Sequence, residues 1–514
     1  MFKRLKNKFS VKNNLKNEKV DNKVFTLNKS LEHNIATIKE LFKDDDTLVF
    51  RRFENEINND IKCCIVFTDG MISSSMLNDN IIKPILICKT IQSKTNILDD
   101  IMNRVLSSNN VKKIFQVNDI IDSLVRGDTI LCVDGSLDAL AIDSKGWQTR
   151  SISEPEAERV MRGSREGFTE SLFMNLSMLR RKLATNNLKF KMRVIGKQTR
   201  TKICLCYIEG IADKKILDEL NKRLDKINID GITGSGTIVE FIRDFPFSPF
   251  KTIGGTERPD VVAGKLLEGR IAIFMDGNPF ILTLPFVFIE YFQSSEDYYM
   301  NFYYASTNRL LRILSFIITI SIPALYIALT TFHQELIPSA FVKSIAAARQ
   351  GVPFPTVIEM VLLLLTFELL RETGTRMPSF SGTAISVVGG LVLGSAAVDA
   401  RIVSAPVVIV VALTAVTGLT TPKLKGPIIT IRLALIILST IIGFYGYLFG
   451  ITAILIHLFQ MRSYGVPYML NLTNLKPDDM KDSIIRVPWT FLRFRSKLIT
   501  PNNLVRNNSG GKKK

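Results

Sequence analysis

Glu359, Glu368 and Arg371 stand in a stretch that is otherwise almost wholly apolar, "TVIEMVLLLLTFELLR" from Thr356 to Arg371. An ionisable side chain at membrane depth is expensive to keep, so it marks a functional position by default. Glu359 and Glu368 are nine residues apart and on one helix would point to opposite sides. Glu368 and Arg371 share a helix face as an i, i+3 pair, which reads as structural. Glu359 is the candidate for lining a water-filled path; the alternative is a carboxylate at the interface that reaches the headgroups.

Elsewhere the chain offers catalysis no foothold. It has no phosphate-binding glycine loop, nucleophile elbow or HExxH segment. Asp134, Ser136 and Asp138 in "DGSLD" could be taken for a carboxylate cluster, but a strand followed by Asp-Gly reads first as a hairpin turn. "RGSREGFTE" (Arg162 to Glu170) sets two arginines and two glycines before a helix start, which suits an anion or a capped helix with Arg165 paired to a carboxylate. The segment "PFSPFKTIGGTERPD" (Pro246 to Asp260) reads as an ordered loop whose Glu257, Arg258 and Asp260, like Arg165, are candidates for contacts between subdomains or with a partner. The six cysteines all lie in the front half and, with only three histidines in the chain, show no zinc-ligand spacing. No metal, no cofactor and no enzymatic activity are expected.

The elements that must position these residues fall into two unlike pieces. A mean hydropathy of +0.18 averages a front half of mixed charge with an apolar run from about Leu310 to Gln460. Segments such as "VVIVVALTAV" (Val407 to Val416) have no polar face and cannot be surface helices. Candidate membrane segments are 310–332, 357–370, 383–398, 402–421 and 428–459. The first and last stretches of the chain are basic, with eight Lys/Arg against two acidic residues over 1–23 and eleven against three over 460–514. Such tails suit the cytoplasmic side of a membrane and anionic lipid, and they lack the interleaved aromatics of a nucleic-acid surface. No apolar export segment opens the chain, so the front half is expected in the cytosol. Even numbers of crossings follow. The 357–370 segment, short and charged, is assigned as re-entrant or interfacial, and 428–459 as one long helix kinked at Gly443 and Gly446, leaving about four crossings.

In the front half, residues 1–23 read as a disordered basic tail and 24–145 and 150–300 as two α/β subdomains. Val24 to Asp45 carries a helical pattern, "CCIVFTDG" and "PILICK" (Pro84 to Lys89) read as short apolar strands, and Asp99–Ser107 and Val117–Val125 as helices. The strongest signal is internal. "LVRGDTILCVDG" (Leu124 to Gly135) aligns without gaps on "LLEGRIAIFMDG" (Leu266 to Gly277), each a helix end, a glycine, a strand and an Asp-Gly turn into a second strand. The fold class is an α/β soluble N-terminal region in two subdomains followed by an all-α polytopic membrane domain, 310–460, and a basic cytosolic tail, 461–514.

Several separate motifs occur in order: "SEPEAERVMRGSREGFTESL", "PFSPF" with "TERPDVVAGKLLEGRIAIFMDGNPFIL", "FQSSEDYY", "FHQELIP", "AVDARIVSAPVVIVVA" and "RSYGVPY". Together they resemble the A subunit of the GerA-type spore germinant receptors of endospore-forming bacteria, over about Leu124 to Pro488. Lys251 and Gly254-Gly255 depart from the more apolar stretch expected before "ERPD". The resemblance implies a multi-pass subunit in the inner membrane of the spore that transduces germinant binding. It implies a transporter-like B subunit and a lipoprotein C subunit as partners, and a homo-oligomer of A subunits as a gated cation channel. Glu359 would then line a cation path between neighbouring copies. A polytopic transporter with a regulatory cytosolic domain is the alternative, and it should show inverted repeats, which the membrane region lacks.

Overall fold

A computed structural model describes residues 27–56, 61–88, 97–108, 110–146, 158, 160, 162–376, 390, 392–470, 482–501 and 503–506. The tail assigned to 1–23 and half of the 383–398 segment, 383–389 and 391, lie outside them. The chain divides into two compact units, residues 1–43 with 47–146, and residues 44–46 with 147–514.

The first unit is built on five antiparallel strands, β1 (Leu48–Glu54), β2 (Lys62–Thr68), β3 (Val111–Ile114), β4 (Thr129–Val133) and β5 (Ala139–Ile142), in the order β1-β2-β4-β5-β3. Alternation along β2 sends Cys64 and Val66 to one face, where α1 (Leu31–Leu41) and α2 (Val117–Val125) cover them, and Cys63 and Ile65 to the other. Burial on both faces explains why β2 reads as a continuous apolar run rather than an alternating one. "PILICK" is not a strand. The chain is helical from 74 to 87, because Leu77, Ile81 and Ile85 recur at helical spacing and together cover the second face.

The second unit opens with the same architecture. Strands β6 (Leu188–Ile195), β7 (Thr201–Ile208), β8 (Gly254–Thr256), β9 (Ile271–Met275) and β10 (Asn278–Leu284) are again antiparallel, in the order β6-β7-β9-β10-β8. Helices α3 (Leu172–Lys182) and α6 (Pro259–Leu267) cover one face, and α4 (Lys214–Asp225) and α5 (Ser235–Ile242) the other. The correspondence reaches single hydrogen bonds. Asp134 accepts the N–H of Leu31 at 2.9 Å and Asp276 that of Leu172 at 3.2 Å, so each Asp-Gly turn also caps the first helix of its unit. Asn34 bonds the backbone of Asn28 as Asn175 bonds that of Thr169. After α2 and α6, Gly127 and Gly269 take φ of +90° and +88°, the left-handed geometry that ends a helix.

The helical part follows: α7 (Phe302–Thr331), α8 (Ser339–Ala348), α9 (Thr356–Arg376), α10 (Ala405–Leu419), α11 (Lys425–Ile442) and α12 (Phe444–Gln460), with residues 392–399 also helical. By length and composition, Phe302–Thr331 and Pro422–Ile442 could cross a membrane. Residues 428–459 do not form one kinked helix. Gly443, at φ +67°, reverses the chain between α11 and α12 with no intervening loop, and a β-carbon on Gly446 would lie 2.1 Å from the carbonyl oxygen of Leu438. The pair is therefore an antiparallel hairpin held at backbone contact. The turn went unseen because no polar residue marks it. Nor is α9 confined to 357–370. It extends for 21 residues, Thr356–Arg376, adding a polar stretch, 371–376, at the C-terminal end of the apolar segment.

The residues after Gln460 return to the soluble part. A small hairpin of β11 (Arg462–Ser463) and β12 (Val466–Pro467) precedes segments whose Tyr464, Val466, Leu470 and Ile499 are buried in the core of the second sheet beside Ile271 and Leu284.

Candidate functional site

Buried charges gather at three levels of the second unit. At the foot of α7, the Asp297 carboxylate accepts from the Nε of Arg309 at 2.9 Å and from Arg312 at 3.0 Å. Arg309, itself wholly buried, also reaches Asp482 at 2.9 Å, and Tyr298 donates to the same carboxylate at 2.8 Å. This network ties the C-terminal segment and the 295–298 turn to the start of the longest helix. Beside it Glu290 pairs with Arg270 and, at 2.9 Å, with Lys265 of α6. Burial disfavours the charge of Glu290, but Arg270 and Lys265 outweigh the burial and hold its carboxyl below the usual carboxylate range. A depressed folded-state pKa contributes stability that is complete above the ordinary value of 4.5 and is lost as pH falls through the folded value. Thermal melts of the solubilised protein from neutral pH downward should therefore show an acid loss that is shallower in Glu290→Gln.

Aromatic packing reinforces this junction. Phe288 contacts Phe292 at 5.4 Å, Phe250 at 5.8 Å and Phe316 of α7 at 6.0 Å between ring centroids, and Tyr468 closes the cluster.

The second level lies between α9 and α11. Glu368 pairs with Arg371 and, at 2.7 Å, with Arg432, whose side chain is buried. One carboxylate thus faces two guanidinium groups. Arg432 escaped attention although a cation inside the apolar 428–459 run is itself the signal.

The third level is Glu359. It is 1% exposed, and its Oε2 accepts from the N–H of Ser404 at 2.8 Å and the hydroxyl of Ser404 at 2.7 Å. Ser404 is the N-cap of α10, so the carboxylate sits where the helix dipole favours negative charge. Its Oε1 accepts no hydrogen bond; the Nε of Arg349 lies 3.6 Å away. Glu359 therefore faces the interior of its own helical bundle.

The remaining candidates fall in the soluble part of the unit. Arg258 is buried and binds Asp260 through Nε and Nη2 at 3.1 and 2.8 Å, while Nη2 also reaches the carbonyl of Ser164 at 2.9 Å. The Glu257 carbonyl accepts from Phe168. Arg165 is exposed, and the adjacent Glu166 pairs with Arg181 and Lys182. "GGTERPD" is no connecting loop but the edge strand β8 and the start of α6. Glu158, next to Thr256, forms an ion pair with Lys423 at 2.7 Å, joining this edge to the turn between α10 and α11. No group of three or more metal-ligating side chains occurs among the described residues.

The family model for Bacillus/Clostridium GerA spore germination protein matches residues 36–498. The chain belongs to the GerA family. This GerA protein is 41% identical over 479 residues to spore germination protein KA of Bacillus subtilis, covering 93% of this chain and 88% of that one. It is 39% identical to the uncharacterized membrane protein YfkQ of the same organism, covering 91% of each chain. Among solved structures it is similar to the N-terminal domain of the A subunit of the Bacillus megaterium spore germinant receptor GerK3, at 36% identity and a TM-score of 0.42, covering 52% of this chain and 98% of that one. Membership gives the GerA protein a role in spore germination, in a family of receptor subunits rather than a known enzyme class. The motifs that carried the resemblance meet in space. Asp244 and Thr252 beside "PFSPF" bond the backbone of Tyr464 and the hydroxyl of Ser463 in "RSYGVPY", and Tyr468 donates to the carbonyl of Lys251 at 2.7 Å.

Proposed function

We propose that this chain is the membrane subunit of a nutrient germinant receptor in the spore inner membrane, assembled with a B-type and a C-type partner, and that it carries germinant binding by the B-type partner into a change of its own membrane domain. The observation that carries the reading is the buried network of Asp297, Arg309, Arg312 and Asp482. A rotation of the second α/β subdomain would be delivered through it to α7 as a rigid body, since breaking it leaves buried charges unpaired.

Contacts at the helix ends support six crossings rather than four. His457, Lys423 and Arg309 meet the soluble part at one end, whereas Gly443 meets Phe332 and His333, and Gly351 meets Arg401, at the other. α7 and α11 run away from the soluble part; α9, α10 and α12 run back. Because α9 and α10 run in the same direction, an even count requires one more passage than these five helices. Exposed Leu314, Ile317, Leu365, Ile409, Ile437 and Phe449 give these helices an apolar outer surface suited to lipid.

Glu359 is proposed as the gating carboxylate of a cation path in an oligomer of this subunit. Its burial against Ser404 corresponds to a closed state, and opening requires α9 to move relative to α10. In Glu359→Gln spores, normal amounts of A and B subunits with altered potassium release after germinant addition are expected; normal amounts with unchanged release rule the role out. Spores lacking the chain should lose their response to at least one nutrient and regain it with the intact chain. Unimpaired responses to every nutrient tested would overturn the receptor assignment.

A further inference from the structure

The loop between α5 and β8 exposes an aromatic ring that none of the described residues covers. Phe247, at its apex, is 100% exposed, with Phe245 beside it and Phe241 on α5 also exposed. A single exposed apolar residue needs no explanation. This one is rigidly presented. At one foot Asp244 pairs with Arg223 at 2.8 Å and accepts from the N–H of Tyr464 at 2.8 Å. At the other, Ser248 is buried with its hydroxyl 2.8 Å from Nε2 of His457, and Phe250 is held in the aromatic cluster. Pro246 and Pro249 bracket the apex, and Phe245 takes φ +52°, a left-handed backbone uncommon for a residue with a β-carbon. Strain retained in an exposed loop points to a use for its shape.

The position identifies that use. His457 lies in the last turn of α12, whose Ile456 and Phe459 are exposed, and Arg462 follows immediately, also exposed. Lys251 is exposed on the descending side of the loop. The ring thus lies where the apolar surface of α12 gives way to basic residues, the composition of a membrane–water boundary. We propose that Phe247, with Phe245, inserts into the boundary between headgroups and acyl chains of the cytosolic leaflet, and that Lys251 and Arg462 bind anionic headgroups there. The loop would anchor the second α/β subdomain to the bilayer beside α12. This rests on the reading of α12 as a crossing helix.

The test uses the full chain with Cys88→Ser, since the other five cysteines are buried. Phe247→Cys is labelled with a nitrobenzoxadiazole maleimide and reconstituted in vesicles of phosphatidylethanolamine and phosphatidylglycerol. Ile456→Cys serves as the control within the membrane, and the parent without either added cysteine gives the background. Insertion predicts a blue-shifted emission at position 247, quenched more by nitroxide near the headgroup than by nitroxide deep in the acyl chain and little by iodide, with the quenching reduced when phosphatidylcholine replaces phosphatidylglycerol. Lipid quenching at 456 combined with iodide quenching at 247 overturns the insertion and leaves the crossing intact. Shielding of 247 from both quenchers overturns it in favour of a protein neighbour. Iodide quenching at both positions overturns the crossing of α12 itself.

Discussion

Arg309→Ala is expected to destabilise the protein by about 3–5 kcal/mol, the usual cost of removing one partner from a buried ion pair. Asp297 is 2% exposed and Arg309 fully buried, so the deletion strands a carboxylate where water reaches it poorly. Arg312 still bonds Asp297, at 3.0 Å, which places the loss toward the lower part of that range, whereas Asp482 loses its guanidinium partner outright. The measurable result is a lowered midpoint in thermal melts of the detergent-solubilised protein, together with reduced subunit levels in spores. Arg309→Lys keeps the charge but not the forked geometry, and should recover only part of the stability. A midpoint unchanged in Arg309→Ala would show that the network holds nothing together, and the rigid link between soluble subdomain and α7 would fall with it.

Gly446→Ala is expected to cost about 3 kcal/mol or more, the upper end for overpacking, because the added carbon meets backbone rather than a movable side chain. The β-carbon would sit 2.1 Å from the Leu438 oxygen and 2.6 Å from its carbonyl carbon, so α11 and α12 must separate. Gly394 supplies the contrast. Among the described residues a β-carbon there meets only Val408, at an ordinary 3.7 Å, and Gly394→Ala should leave the solubilised subunit as stable as the parent. Protease sensitivity at the 443 turn and thermal melts would measure both. Equal damage from the two substitutions would transfer Gly394 from open space in one chain to a contact between chains.

The two α/β subdomains are legible in the sequence because each repeats a helix end, a glycine and a strand turned by Asp-Gly, features set by local backbone geometry. The caps that Asp134 and Asp276 make over roughly a hundred residues are not local, and no spacing rule reaches them. The α11–α12 hairpin is hidden for a different reason. Turn signals in soluble chains come from polar residues that replace lost backbone bonds, whereas Gly443 turns inside an apolar run where nothing polar is offered. Glu359 and Glu368 stand out by charge alone, but their partners Ser404 and Arg432 come from other helices and are set by packing. The C-terminal residues fail the periodicity test altogether. Tyr464, Val466, Leu470 and Ile499 make no readable run at a 3.6 or 2 repeat, since they are spread over a hairpin of two-residue strands and the segments after it.

Those anchors impose an order on synthesis. The second sheet is complete in sequence at Leu284, yet part of its core, through Ile499, arrives only after ~215 further residues, which at ~5–20 residues per second takes roughly 10–40 s. During that interval the whole helical domain is made, while the sheet presents the apolar patch that Tyr464, Val466 and Leu470 later cover. In the proposed topology the soluble subdomain is sealed only in chains whose last helix has come back to the cytosolic side. A chain that inserts with the wrong number of crossings leaves its own exposed core as the mark by which chaperones and proteases can find it.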